Sequence, residues 1–560
     1  MRWKSNVNPA FRSQFTEDIF NQKYRHEGCL TWEELSATLV EDVVGEKLSK
    51  DDKGQLIQYI ADMKFIPGGR YLYYAGRPKK FFNNCYLLKS EEDTREDWAE
   101  LSKKSELCLS SGGGIGNDYS KYRASDSPLH GTGGVASGPL SKMEMINEIG
   151  RFIIQGGSRR SAIYASLNWK HDDISKFLKS KNWKNMPAGD SGLSLWDLKQ
   201  QDFNFRCPLD MTNISVNYDT DWLVKYWENG GVGDVFQSNI RQAMETGEPG
   251  FSFNFFDKES ETLRNACTEV TSEDDSDVCN IGSINLSRIK DVTELVAVIT
   301  LATAFLICGT LVAHLPYPKV GMVREKNRRL GLGLMGIHEW LVQRGYKYEV
   351  VPELHNWLHA YRASSDRASR YYSNKFNISK PVANRAIAPT GTIGILAGTT
   401  TGIEPIFAVA YKRRYLQSGT KWKYQYVVDS AAQELIDLYD AKPDQLESAL
   451  DMAKDYKRRI KFQADIQDYV DMGISSTINL PPWGTQFNNE DIVEDFTNVL
   501  AKYAPRLRGF TCYPDGSRGG QPLVSVPYSE AADKLGEVFE ENVQFHDVCD
   551  ITGRDGGCGV

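Results

Sequence analysis

No CxxC pair occurs among the ten cysteines of this 560-residue chain, at positions 29, 85, 108, 207, 267, 279, 308, 512, 549 and 558. No Cys/His cluster has zinc-ligand spacing either, so no protein-held metal is expected. The opening residues "MRWKSNVNPAFRSQF" lack the apolar core of a signal peptide, which points to a reducing cytoplasm and free thiols. A basic excess is also missing. Lys+Arg 66 against Asp+Glu 74 gives a net charge of -8, so there is no electrostatic footprint for nucleic acid. A phosphate-bearing substrate would have to be met by local groups. GxxxxGK[ST], GxSxG and HExxH are absent, which removes the P-loop, α/β-hydrolase and zincin readings. There is no internal repeat and no low-complexity stretch. A single long uncharged run, "VAVITLATAFLICGTLVA" from Val296 to Ala313, reaches the lower edge of a membrane-spanning helix. Its three threonines, its glycine and its isolation in mid-chain argue instead for a buried core helix, so no membrane partner is expected. Cys308 inside it reads as an inert core thiol.

What is present is the composition of an ordinary globular protein, 41% hydrophobic and 25% charged, able to bury a large core without cross-links. Residues 1–64 read as polar, amphipathic helices, for instance "TWEELSATLVEDVVGEKL" with apolar positions at helical spacing. From Phe65 the texture changes to short apolar runs punctuated by glycine clusters, with helical stretches between. That alternation argues an α/β class with loops gathered at one end. The expected organisation is a helical region over 1–64, an α/β domain over 65–530, and a helix with a glycine-rich tail over 531–560.

Three motifs carry chemistry. "GLGLMG", Gly331 to Gly336, matches GxGxxG, but the charged "VREKNRRL" before it is unlike a buried strand. Its glycines are therefore expected to allow close packing within a helix, not to cradle a dinucleotide. "APTGTIG", Ala388 to Gly394, offers consecutive N–H groups and two hydroxyls. It suits a phosphate cradle if it opens a helix, and an ordinary turn otherwise. In "RNACTEV", Asn265, Cys267 and Glu269 alternate, so extended backbone would turn an amide, a thiol and a carboxylate to one face. Cys85 in "FFNNCYLL" and Cys279 in "VCNIGSINL" lie in short runs suited to strands. Nothing in the sequence shows that the three thiols meet.

Taken together, "PGGR", "NNC", "NACTE", "CNIGSINL", "NRRLGLGLMG" and "PTGTIGILAGTTTGIEPI" resemble, in order and interval, the large catalytic chain of ribonucleotide reductases. The resemblance runs from about Phe65 to the C-terminus. It implies a ten-stranded α/β barrel of two antiparallel five-stranded halves, with a central finger loop carrying a radical cysteine. By that resemblance Cys267 is the site of a thiyl radical that abstracts hydrogen from C3′ of a ribonucleotide. Glu269 takes the proton of the 3′-hydroxyl and Asn265 holds the ribose hydroxyls. Cys85 and Cys279 supply the proton and electrons as the 2′-hydroxyl leaves, and end as a disulfide. Pro389, Thr390, Gly391, Thr392 and Ile393 bind the phosphates, and Asn84 and Gly114 line the substrate pocket. Proline often precedes the radical cysteine in the family, and Ala266 stands there in this chain.

Large chains that depend on a metal-containing radical subunit carry two adjacent tyrosines near the C-terminus. "FTCYPDGSRGGQPL" has Cys512 before a single Tyr513. That departure, with "PTGTIGILAG" and "YPDGSRGG", resembles the adenosylcobalamin-dependent class, with the coenzyme held without a protein axial ligand. The alternatives are a large subunit needing such a partner and, more distantly, a non-catalytic nucleotide sensor. The resemblance further implies a ribonucleoside di- or triphosphate substrate and a homodimer. It places deoxynucleoside triphosphate effectors at loops that include Asp118, Arg123, Arg159 and Arg160, with no N-terminal activity-switching cone. It also implies a thioredoxin-type reductant acting through Cys549 and Cys558 on the tail.

Overall fold

The computed structural model describes residues 10–131, 133–153, 161–202, 205–417, 421–517, 523–535 and 537–541. Arg159, Arg160, Cys549 and Cys558 lie outside them.

The N-terminal helices follow their local signals. In Trp32–Val44, Thr31 accepts from the Glu34 N–H, and the Glu34 carboxylate accepts from the Thr31 N–H, a reciprocal capping box. Trp32, Leu35, Leu39, Val40 and Val43 then fall on one buried face. They join the same apolar core as the uncharged run, which is the helix Val292–Val312 capped by Asp291. Among the described residues this is the one helix long and apolar enough to cross a membrane. Of its most apolar stretch, 72% is buried within the protein.

The strands are β1 (Phe65–Pro67), β2 (Cys85–Lys89), β3 (Gly114–Asp118), β4 (Ile163–Asn168), β5 (Thr212–Tyr218), β6 (Gly250–Phe253), β7 (Leu263–Arg264), β8 (Thr271–Ser272), β9 (Asp277–Asn285), β10 (Leu330–Met335), β11 (Ala410–Gln417), β12 (Lys421–Val428), β13 (Thr477–Leu480), β14 (Gly509–Pro514), β15 (Leu523–Ser525) and β16 (Val538–Glu541). Ten of them make one sheet in the order β1-β9-β2-β3-β4-β5-β6-β14-β13, with β10 also on β9. Strands β2 to β6 pair in parallel, as do β9 with β10 and β13 with β14. The junctions β2/β9 and β6/β14 are antiparallel. Isolated parallel bridges, Leu332 to Arg385 and Ile387 to Ile474, draw the two ends of this order together. The short hairpin β7/β8 stands apart from the sheet and carries residues 265–270 at its turn. All nine residues of β9 are buried, as expected of a strand covered on both faces.

Two local expectations are corrected. "GLGLMG" is not helical: Leu330–Met335 is β10, in parallel register with β9. A Cβ on Gly333 would sit 2.6 Å from the Ala386 carbonyl oxygen, so the glycine permits close approach of a neighbouring segment. Only Gly336, at φ 72°, takes a left-handed turn, and it follows the strand. No phosphate-wrapping turn exists between Gly331 and Met335. At the far end, the helix Tyr528–Asp533 leads not directly to a tail but to β16, in a four-stranded sheet with β12, β11 and β15.

Candidate active site

The turn 265–270 is held from three sides. Arg264, fully buried, donates to Asn254 Oδ1 at 2.6 Å and to the Arg508 carbonyl at 3.1 Å. Burial, with Arg508 as a second cation nearby, lowers its pKa to about 9. Its own carbonyl lies so close to β3 that a Cβ on Gly116 would collide with it. Asn213 Nδ2 donates to the Ala266 carbonyl at 3.2 Å. The Gly473 N–H donates to the Glu269 carbonyl at 2.7 Å, and a Cβ on Gly473 would stand 2.7 Å from the Thr268 carbonyl oxygen.

The alternation expected of extended backbone is not what forms. Thr268 takes φ 69°, and its N–H closes onto the Asn265 carbonyl at 3.0 Å. Asn265 then works in two directions. Its Oδ1 accepts from the Val270 N–H at 2.9 Å, pinning the turn, and its Nδ2 reaches Cys85 Sγ at 2.9 Å. The hairpin thus points an amide directly at a strand thiol.

Below the turn, Cys85 on β2 is the register partner of Cys279 on β9 and, on its other side, of Gly114 on β3. Directly opposed antiparallel residues have Cα atoms about 4.5–5.5 Å apart, inside the range of about 4.4–6.8 Å that a disulfide spans. Neither is in a disulfide, and both are buried. Burial, then the proximity of Cys85 and Glu269, pushes the Cys279 thiol well above its ordinary pKa. Cys85, Cys279, Val270, Ala386, Ala388 and Met472 belong to a small apolar cluster of their own. A Cβ on Gly331 would come within 3.0 Å of Cys279 Sγ, so β10 is cut back where that thiol lies. Of the eight described cysteines, Cys267 alone is not buried. Glu269 beside it is 1% exposed.

Ala388 leads from this cluster into Pro389. Thr390 takes φ 52°, its hydroxyl accepts from the Gly402 N–H at 2.8 Å, and the short helix Gly391–Ala397 follows. Ile393 is buried beneath it, while Pro389, Gly391 and Thr392 are partly open, with free space around the Gly391 Cα. Asn84, next to Cys85, gives its carbonyl to the Gly114 N–H at 2.8 Å. The structure therefore gathers Asn84, Cys85, Gly114, Asn265, Glu269 and Cys279 around the hairpin, with 389–393 entered from the same cluster. At the proposed effector loops, Asp118 accepts from Ser120 and from Thr262 Oγ1, and Arg123 is clamped to Asp93. Sequence reasoning missed Arg264, Asn213, Gly116 and Gly473. Their only signals are a glycine, an amide or, at 264, a lone cation, in runs that say nothing about the hairpin they support.

The family model for the ribonucleotide reductase barrel domain matches residues 83–355 and 382–507. The chain is 27% identical over 519 residues to a vitamin B12-dependent ribonucleoside-diphosphate reductase of Mycobacterium tuberculosis, covering 83% of this chain and 72% of that protein. It is 28% identical over 537 residues to the protein of the same name in Thermoplasma acidophilum, covering 86% and 68%. A ribonucleoside-diphosphate reductase large subunit of Plasmodium falciparum is 25% identical over 349 residues, 55% of this chain and 43% of that one. With the matched segments spanning both the thiol-bearing strands and the hairpin, this chain belongs to the ribonucleotide reductase barrel-domain family.

Proposed function

We propose that this chain reduces ribonucleotides to 2′-deoxyribonucleotides through a thiyl radical on Cys267, with adenosylcobalamin as the radical source. The observation that carries the reading is the in-register pair Cys85 and Cys279 beneath a hairpin whose Asn265 bonds to one of them and whose tip thiol is the one described cysteine left accessible. Partial exposure of Cys267 fits a thiol that the coenzyme would have to reach. When bound, the coenzyme supplies a one-electron oxidant by homolysis of its cobalt–carbon bond. The relatives named for vitamin B12 align over 83% and 86% of the chain, against 55% for the large-subunit relative. Cys512 before Tyr513, buried in β14, supports the same class over one that needs a tyrosine pair.

The residues divide the chemistry as follows. Cys267 takes the hydrogen atom from C3′. Glu269 accepts the 3′-hydroxyl proton, and Asn265 orients the ribose. The 2′-hydroxyl departs as water with a proton from the Cys85/Cys279 pair. That pair gives up two electrons and closes as a disulfide, and Cys267 returns the hydrogen to C3′. One ribonucleotide and two thiols thus become one deoxyribonucleotide, one water and one disulfide. Residues 389–393 hold the phosphates, and the relatives' names favour a diphosphate.

The same reading takes the chain as a homodimeric cytoplasmic enzyme, organised as 1–64, 65–530 and 531–560. Deoxynucleoside triphosphates tune its substrate choice through the loops of Asp118, Arg123, Arg159 and Arg160, and thioredoxin reduces it through Cys549 and Cys558. The test is the purified chain with dithiol and ribonucleotide, with and without adenosylcobalamin. Deoxyribonucleotide only with the coenzyme is expected. Turnover without it, or only with an added metal-loaded subunit, contradicts the class.

A further inference from the structure

We infer that Lys23, at the end of the N-terminal helix, is a substrate-binding residue that meets the phosphates at the 389–393 turn; this rests on the reading of that turn given above. The helix Gln14–Lys23 begins at a Ser13 capping box and carries Lys23 in its last turn. Lys23 Nζ donates to Thr392 Oγ1 at 3.3 Å, across 369 residues of chain. The residue after it, Tyr24, packs on the Gly68–Gly69 turn, and that turn itself packs on Asn84. The Tyr24 hydroxyl lies 3.1 Å from where a Cβ on Gly69 would stand, and Asn84 Nδ2 lies 3.1 Å from the same point on Gly68. The end of the helix therefore abuts both the phosphate turn and the turn that backs Asn84, beside Cys85. At its other end Arg12 donates to the Gly398 carbonyl at 2.7 Å and pairs with buried Glu339 at 2.7 Å. The N-terminal segment thus grips the short helix Gly391–Ala397 at both ends, and its position is set by a buried ion pair.

Residues 389–393 are Pro, Thr, Gly, Thr and Ile, with no cation among them, on a chain of net charge -8. Backbone N–H groups and hydroxyls can orient a nucleotide's phosphates but do not balance their charge. An ammonium one hydrogen bond from Thr392 supplies that balance, as a point charge on a flexible stem. Nothing outside the helix itself lies within 4 Å of where a Cβ on Gly391 would stand, so a phosphate can approach the turn beside Lys23.

The test compares Lys23→Met and Lys23→Arg with the wild-type chain, by steady-state reduction and by calorimetric binding of a ribonucleoside diphosphate and of the matching unphosphorylated nucleoside. Lys23→Met is expected to weaken diphosphate binding and raise KM by about tenfold or more, the usual cost of a lost charge-assisted hydrogen bond. Its kcat and its nucleoside affinity are expected to stay near wild type, and Lys23→Arg to restore most of the diphosphate affinity. Diphosphate binding within twofold of wild type in Lys23→Met overturns the assignment. So does an equal loss for the nucleoside, which would mark Lys23 as structural. A wild-type chain that binds diphosphate but never reduces it would refute the proposed activity and leave the Lys23 binding test standing.

Discussion

The three site thiols are held in two different ways. Cys85 and Cys279 sit on neighbouring strands, fixed by register and buried on every side. Cys267 sits on a six-residue turn that has no ladder of its own and is held by borrowed contacts from Asn213, Gly473 and the underside of β3. The proposed chemistry asks for that difference. A pair that must open and close a disulfide needs fixed spacing, which register supplies. A thiol that must exchange a hydrogen atom with an outside group and then with substrate needs access, which a strand in a closed interior denies. Rigidity at the turn comes instead from close backbone contacts that only glycine allows at positions 116 and 473.

The largest expected effect comes from removing the accessible thiol. Cys267→Ser should abolish deoxyribonucleotide formation while calorimetric nucleotide binding stays intact; measurable product from that variant would erase the distinction between the two kinds of thiol. A smaller but still large effect is expected from disturbing a strand thiol without deleting it. Gly331→Val places methyl groups against Cys279 Sγ, and displacement of a reacting group by about 1 Å costs on the order of 100-fold in turnover. Its fold should be weakened by only about 1–3 kcal/mol, as for other overpacked core sites. Wild-type turnover in Gly331→Val would mean that the position of Cys279 does not matter.

The support of the hairpin can be read through pH. Glu261 accepts from Arg508 Nη2 at 2.9 Å and Thr271 Oγ1 at 2.8 Å. Burial pushes its carboxyl up, but Arg508 and Arg329 more than reverse this and bring it from 4.5 to about 2. A depressed folded-state pKa stabilises fully above the unfolded value, and that stability is lost as pH falls from about 4.5 toward 2. Glu261→Gln should therefore lower stability at pH 7 by about 1–3 kcal/mol. It should also flatten the fall in melting temperature across that acid window. An unchanged acid limb would show that Glu261 does not brace the hairpin. The smallest effect concerns the departure from the family pattern. With the turn already held by its neighbours, Ala266→Pro should change turnover less than about threefold and stability by under about 1 kcal/mol. A large gain in activity would show that the borrowed contacts leave the turn loose.

Legibility of the sequence followed the range of each interaction. Thr31 and Glu34 announce a capping box three residues apart, and the helix forms where the pattern says. The uncharged run at 296–313 is a core helix, as its threonines and mid-chain position suggested. "GLGLMG" misled because its glycines answer to Cys279 and Ala386 across the sheet, partners about fifty residues away in either direction that no local pattern encodes. The turn at 265–270 misled for a related reason. Alternation suggests a shared face only while the backbone stays extended, and the left-handed Thr268 ends that. The motifs placed the thiols in order, but their meeting depends on the antiparallel β2/β9 junction. The N-terminal helices read from sequence as a separate polar region. Lys23 reaches the phosphate turn, and Arg12 the far end of the helix that follows it, through contacts spanning more than 360 residues, invisible in any window.

In the proposed cycle the strand pair is consumed in each turnover and the loop thiol is not. This is tested most directly by a single turnover of pre-reduced chain with adenosylcobalamin and ribonucleotide but no external reductant. A Cys558→Ala background removes the proposed route by which the disulfide would pass to the tail. Peptide mapping after alkylation should then find Cys85 joined to Cys279 in proportion to deoxyribonucleotide formed, with Cys267 recovered as an alkylated thiol. Product formed with Cys267 in a disulfide, or with Cys85 and Cys279 both still reduced, would contradict the account.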